Sequence, residues 1–143
     1  MTINEIQEQI IEEFSVFDDW MDRYNYLIEL GHDLPQIDAK FKTDEYLING
    51  CQSKVWLNAE YSGGKMSYTA DSDAIIVKGI VALLVKVLDH QYASDVMNAD
   101  LYFIDKIGLK ENLSPTRSNG LVAMVKKMKL YALAYNAKEN MGK

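Results

Sequence analysis

Cysteine is almost absent: Cys51 is the only one among 143 residues. One thiol closes no internal disulfide and makes no CxxC redox pair. It also falls short of the four cysteines that a structural zinc site or an iron–sulfur cluster commonly takes. Histidine is nearly as scarce, since His32 and His90 lie far apart with neither HxxxH nor HExxH spacing, and a metal site has little support in that pattern. The longest apolar run, Ile80 to Val85, is far shorter than the roughly 20 residues a membrane helix requires. The opening Met1-Thr2-Ile3-Asn4-Glu5 has no basic start and no apolar signal core, which predicts an untargeted, cytoplasmic protein. Two prolines and eight glycines exclude a collagen-like or Pro-rich disordered chain.

What is present is an ordinary globular composition, 48% hydrophobic and 25% charged, at the commonest length of one domain. A chain of this size buries roughly two-thirds of its unfolded surface, enough to fold without a disulfide or a metal. There is no internal repeat, low-complexity segment or linker, so a single domain over 1–143 is expected. Charge is uneven. The formal net charge is −6, yet residues 1–50 hold 12 acidic groups against three bases, Arg23, Lys40 and Lys42. The C-terminal stretch is locally basic through Arg117, Lys126, Lys127, Lys129, Lys138 and Lys143. An acidic chain argues against nucleic-acid binding. The basic stretch reads either as a solvated helix face or as a docking face for an acidic partner.

Thr2-Ile3-Asn4-Glu5 fits a capping box, followed by Ile6, Ile10, Ile11 and Phe14 at helical spacing. A second helix start is expected at Ser15–Asp18. After it Phe17, Trp20, Met21, Tyr24, Leu27 and Ile28 form an apolar stripe, with Gly31 as its C-cap. Residues 36–45 read as a loop. The period then changes to two: Tyr46-Leu47-Ile48 is a short strand candidate, and Val55, Leu57, Ala59 and Tyr61 alternate with polar neighbours. Ser62-Gly63-Gly64 supplies a hairpin turn back through Lys65 to Ala70. Ser72 or Asp71 is expected to cap a central helix from Asp73 to about Leu88, in which Gly79 would mark a close helix–sheet approach. Short helices are expected over 93–98 and 100–107. Ser114-Pro115 opens a long C-terminal helix with a stripe from Leu121 to Tyr135. The pattern predicts an α+β fold: a three-stranded antiparallel sheet packed against several helices.

Cys51 stands in Asn49-Gly50-Cys51-Gln52-Ser53-Lys54, between the first two strand candidates. Gly50 lets the chain turn sharply, and a thiol at a turn is well placed to meet an external reagent. Free cysteine is also among the residues most often buried as simple packing. No histidine adjoins Cys51 to deprotonate it, which weakens a cysteine hydrolase. Thiol exchange needs only a thiolate, an accessible sulfur to attack and a good leaving thiolate. Three readings therefore stand: a sulfur carrier, a hydrolase or thiol peroxidase, and an interaction module in which Cys51 only packs.

Four blocks carry a family resemblance: Tyr26–Gly31 with Leu34-Pro35, Asn49–Leu57, Asp71–Gly79 and Leu113–Leu121. In this order and spacing they resemble the SufE family of sulfur acceptors, the Gly-Cys-Gln-Ser-x-Val-Trp block being the most specific. The divergence lies mainly in the N-terminal helix and the loop at 36–45. The resemblance implies a SufE/IscU-like fold and a partner, a SufS-type cysteine desulfurase that uses pyridoxal phosphate. It implies that Cys51 accepts persulfide sulfur, that the desulfurase is stimulated, and that the sulfur passes to a SufBCD-type scaffold for cluster assembly. No cofactor of its own is implied beyond the transient persulfide, and no stand-alone enzyme activity. Gly50, Gln52 and Ser53 would shape the loop, and Arg117 would contact the partner or raise the local positive potential. Asp73 would serve as a helix-start acid or an interface residue, and Lys78 as a partner contact or the solvent exit of a buried helix.

Overall fold

The computed structural model describes residues 1–141; Lys143 of the basic stretch lies outside them. At the N-terminus the capping box forms: the Thr2 hydroxyl accepts from the Glu5 amide, and the Glu5 carboxylate accepts from the Thr2 amide. It starts α1 (Ile3–Ser15), which buries Ile6, Ile10 and Phe14 along one face. The second helix, α2 (Trp20–Asp33), starts later than Ser15–Asp18 because Asp19 supplies the cap, accepting from the Asp22 amide. Its apolar stripe packs against the core, but most of it sits at the core's edge. Leu27 is fully buried, but Trp20 and Tyr24 are half-buried and Met21 is 68% exposed. α2 crosses the central helix at Leu27 and Gly31, while Trp20 and Tyr24 pack at the edge of the core and touch the turn at 108–112. Gly31 is therefore no C-cap, and the helix runs through it to Asp33.

The region 36–45 is not wholly loop, for it contains a 3-10 turn at Ala39–Phe41 and the start of another, Asp44–Tyr46. The third strand does not form. Leu47 makes one isolated bridge to Trp56, the Ile48 amide donates to the Val55 carbonyl, and Gly50 at φ +94° then turns the chain away. The sheet is a two-stranded antiparallel hairpin, β1 (Val55–Ser62) and β2 (Lys65–Ser72). Gly63 and Gly64 join them at φ +60° and +82° between the paired Ser62 and Lys65, the turn geometry that matches strand twist. Val55, Leu57 and Ala59 pair opposite Ser72, Ala70 and Tyr68, giving one buried face. The far edge of β2 is covered by residues 89–91. The Met66 amide donates to the Gln91 carbonyl, the His90 amide to the Met66 carbonyl, and the Tyr68 amide to Asp89 Oδ1, each at 2.8 Å.

Against this face and α2 packs the central helix, α3 (Ile75–Leu88), with Ile80, Leu83, Leu84, Val87 and Leu88 buried. It starts at Ile75 rather than Asp73, and no side chain caps it at Ala74. Asp71 and Asp73 are engaged elsewhere, while the Ser72 hydroxyl accepts from the Ala74 amide at 3.2 Å. Gly79 does mark a close approach, but to a helix and not to the sheet. A β-carbon there would stand 2.2 Å from the Leu27 carbonyl oxygen. Two short helices follow, α4 (Ala93–Met97) and α5 (Phe103–Lys106). The long α6 (Pro115–Met141) closes the core with Leu121, Met124, Met128 and Ala132. Its first turn is held by the Ser114 hydroxyl, which accepts from the Arg117 amide at 3.3 Å. Among the described residues no helix is long and apolar enough to cross a membrane.

Candidate functional site

Cys51 lies in a segment, 49–53, that is fastened at both ends. At the near end Ile48 is buried and its amide donates to the Val55 carbonyl at 2.9 Å. At the far end the Lys54 backbone is held three times. Its amide donates to Asp73 Oδ1 at 3.0 Å, and its carbonyl accepts from the Ser72 hydroxyl at 2.9 Å and from the Asp73 amide at 3.2 Å. Between these anchors the segment rests on α6 through small groups: Gly50 beside Ala123, and Cys51 against Gly120. The thiol makes a long S–H···O contact to the Gly120 carbonyl at 3.7 Å, a weak interaction. A short segment with firm ends and a lightly held middle is a natural place for local opening.

Beside the sulfur is a cavity of about 100 Å³. Buried Val77, Ile80 and Met124 form its apolar wall, and Gln52, Ser53, Thr116 and Arg117 its polar side. Burial pushes the Cys51 thiol above its ordinary value, because a thiolate is poorly solvated there. The withdrawn sulfur is thus mostly protonated at neutral pH and a slow nucleophile. Alkylation by iodoacetamide across a pH series should reach its half-maximal rate at a higher pH in the native protein than in the urea-unfolded chain. An equal or lower midpoint would show that the native site does not suppress the thiolate.

The structure gathers Cys51, Gln52, Ser53 and Arg117 at one cavity, with Gly50 making the turn. Arg117 is exposed and has no salt-bridge partner among the described residues, so its guanidinium is available at the cavity rim. Asp73 and Lys78 are placed differently. Asp73 holds the Lys54 amide, and Lys78 pairs with Asp71 at 3.3 Å; both line a separate groove of about 380 Å³ beside Gly31 and His32. Burial works against ionisation of Asp71. The Ser72 amide and the ammonium groups of Lys42 and Lys78 outweigh it and hold the carboxyl below its ordinary range. Gly120, Ala123, Thr116, Met124, Val77 and Ile80 complete the surroundings, and sequence reasoning assigned none of them to the site. The available signal was Gly120 itself, a glycine inside a helix directly before the apolar stripe of α6 and within the Leu113–Leu121 block. Among the described residues no three His, Cys, Asp or Glu side chains converge to hold a metal ion.

Fold and site together define a small α+β protein built around one half-buried loop thiol. Residues 8–132 match the SufE family, described as an Fe-S metabolism associated domain. The chain belongs to the SufE family, and its work lies in iron–sulfur metabolism. It is 46% identical over 127 residues to a protein of Rhizobium etli named an uncharacterized SufE-like protein, covering 85% of this chain and 86% of that one. A protein of Rhizobium meliloti with the same description is 39% identical over 127 residues, covering 85% and 91%. The solution structure of a hypothetical protein from Thermus thermophilus superposes with a TM-score of 0.74 over 90% of this chain and 94% of that one. At 22% identity that likeness establishes a shared fold alone.

Proposed function

We propose that this protein is a sulfur acceptor of iron–sulfur cluster assembly, with Cys51 as the carrier. The observation that carries the reading is a single thiol, lightly held on a segment anchored at both ends, with a cavity beside its sulfur. The donor is a SufS-type cysteine desulfurase bearing a persulfide on its own cysteine, where the pyridoxal phosphate chemistry also resides. In the transfer, the Cys51 thiolate attacks the outer sulfur of the donor persulfide. A new S–S bond forms at Cys51, the donor's S–S bond breaks, and its electron pair leaves with the donor thiolate. No oxidant is consumed and no cofactor of this chain is needed. Onward delivery to a SufBCD-type scaffold repeats the exchange with Cys51 as the leaving group. The lone cysteine favours a carrier over a cluster scaffold, because one thiolate holds a sulfur but does not enclose a cluster. We place this exchange in the reducing cytoplasm, where a free thiol persists.

Segment 49–53 resolves the conflict between protecting a sulfur and handing it over. Withdrawn, Cys51 is protonated and shielded; released from α6, it regains an ordinary thiol's reactivity toward the docked partner. Gln52 and Ser53 offer donors to the thiolate, and Arg117 supplies a bidentate contact to the partner. Asp73 and Lys78 extend the docking face beside the anchor at Lys54. Incubated with a desulfurase and free cysteine, the protein should gain the mass of one sulfur atom and raise desulfurase turnover. No mass gain, or turnover of a small acyl or peroxide substrate without any partner, would overturn the reading.

A further inference from the structure

Three helix glycines lie close to a neighbouring element, and two of them have an evident packing reason. At Gly79 a β-carbon would stand 2.2 Å from the Leu27 carbonyl oxygen, and at Gly31 one would stand 3.0 Å from the Gly79 amide nitrogen. Gly120 is different. Its backbone is not in the left-handed region, and glycine is the poorest residue after proline for a helix interior. A β-carbon built there meets only ordinary van der Waals distances, and its three nearest atoms all belong to Cys51: Sγ at 3.5 Å, Cα at 3.8 Å and Cβ at 3.9 Å. Neither the backbone nor the resting thiol demands a glycine at this position. The requirement arises once Cys51 carries more than its own sulfur.

We infer that Gly120 is a positioning residue whose missing side chain keeps room beside Cys51 for a second sulfur atom. The inference rests on the persulfide-carrier reading above. The outer sulfur of a persulfide lies about 2.05 Å beyond Sγ, and Gly120 lines the cavity that receives it. A methyl group at 120 would occupy the α6 side of that space. The outer sulfur is then driven toward the rim at Thr116 and Arg117, both exposed, where stray thiols reach it. Gly120 thus leaves the bare thiol unaffected and governs how well the loaded form is kept.

The test prepares the persulfide without a desulfurase, so that it stands apart from the partner proposal. The Cys51 thiolate is first exchanged with a symmetrical aromatic disulfide, which forms the mixed disulfide at Cys51 and expels one aryl thiolate. Hydrosulfide then attacks the Cys51 sulfur and expels the aryl thiolate, leaving Cys51–S–SH. Glutathione thiolate is added and removes the outer sulfur as glutathione persulfide, with Cys51 released as thiolate; intact mass follows the loss. In Gly120→Ala, alkylation of the unloaded thiol should match wild type, while persulfide loss runs on the order of tenfold faster, as for a group that no longer needs local opening to be reached. Gly120→Leu should lose the sulfur at least as fast. Circular dichroism confirms that both variants are folded. Equal persulfide lifetimes in folded wild type and Gly120→Ala would overturn the inference. So would Gly120→Ala alkylation accelerated as much as persulfide loss, since the glycine would then serve the bare thiol. A wild-type protein that holds this persulfide yet gains no sulfur from a desulfurase would remove the partner and leave Gly120 in its role.

Discussion

Replacing Cys51 with alanine should abolish sulfur uptake completely while leaving the fold in place. The chain has no second cysteine, and no other side chain present exchanges a sulfane sulfur with a persulfide. The structural cost is small by comparison. The side chain is half-buried, lies beside an existing cavity and makes one long S–H···O contact. A change of this kind at a partly exposed position costs about 1 kcal/mol or less. Intact mass after incubation with desulfurase and cysteine should show no added sulfur, and the stimulation of desulfurase turnover should vanish. The thermal midpoint should stay within a few degrees of wild type. Docking should persist, because the anchors at Ile48 and Lys54 do not involve the thiol. Sulfur uptake by the alanine variant would mean that another nucleophile carries the reaction.

The other large effect is on stability. Gly79→Ala places a β-carbon 2.2 Å from the Leu27 carbonyl oxygen, 2.7 Å from its carbonyl carbon and 3.0 Å from its Cβ. Backbone atoms do not swing aside as a side chain does, so α2 and α3 must separate. Their crossing allows little slack, since a β-carbon on Gly31 would already stand 3.0 Å from the Gly79 amide nitrogen. Overpacking of a well-filled core typically costs about 1–3 kcal/mol, and contact with rigid backbone belongs at or above the top of that range. The better helix propensity of alanine returns about 1 kcal/mol. A net loss of about 2–3 kcal/mol is a large share of a total stability of roughly 5–15 kcal/mol. It should lower the thermal midpoint by roughly 5–10 °C in a domain of this size. Urea unfolding should show a lower midpoint with an unchanged slope. Wild-type stability in this variant would mean that the two helices slide without loss, and the close crossing would lose its structural importance.

Much of the fold was legible where the deciding contacts are local. Thr2 and Glu5 form their reciprocal cap within one turn. Gly63 and Gly64 make a two-residue hairpin that sets the register of β1 and β2. Ser114 and Pro115 begin α6 as their types predict. Expectations failed where a distant residue decided the outcome. Tyr46-Leu47-Ile48 has a strand's composition but reaches only one bridge, at Trp56. Gly31 has a helix stop's composition but serves as the surface on which α3 crosses. Ser72 or Asp71 was the expected cap of a helix starting at Asp73, yet the Asp71 carboxylate holds Lys42 and Lys78, the Ser72 hydroxyl donates to the Lys54 carbonyl, and Asp73 holds the Lys54 amide.

The candidate site divides along the same line. Amino-acid order alone determined that the chain has a single thiol, that it sits at a glycine turn next to a strand, and that no histidine adjoins it in sequence. Each of these depends on residue type or on neighbours a few positions away. Only the tertiary structure decided that Cys51 rests against Gly120, 69 residues further along the chain. It alone brought Val77, Ile80 and Met124 around the sulfur and assigned Asp73 to the anchor. Those outcomes follow from how α3 and α6 pack against the hairpin, and no local run of residues encodes the space left between them.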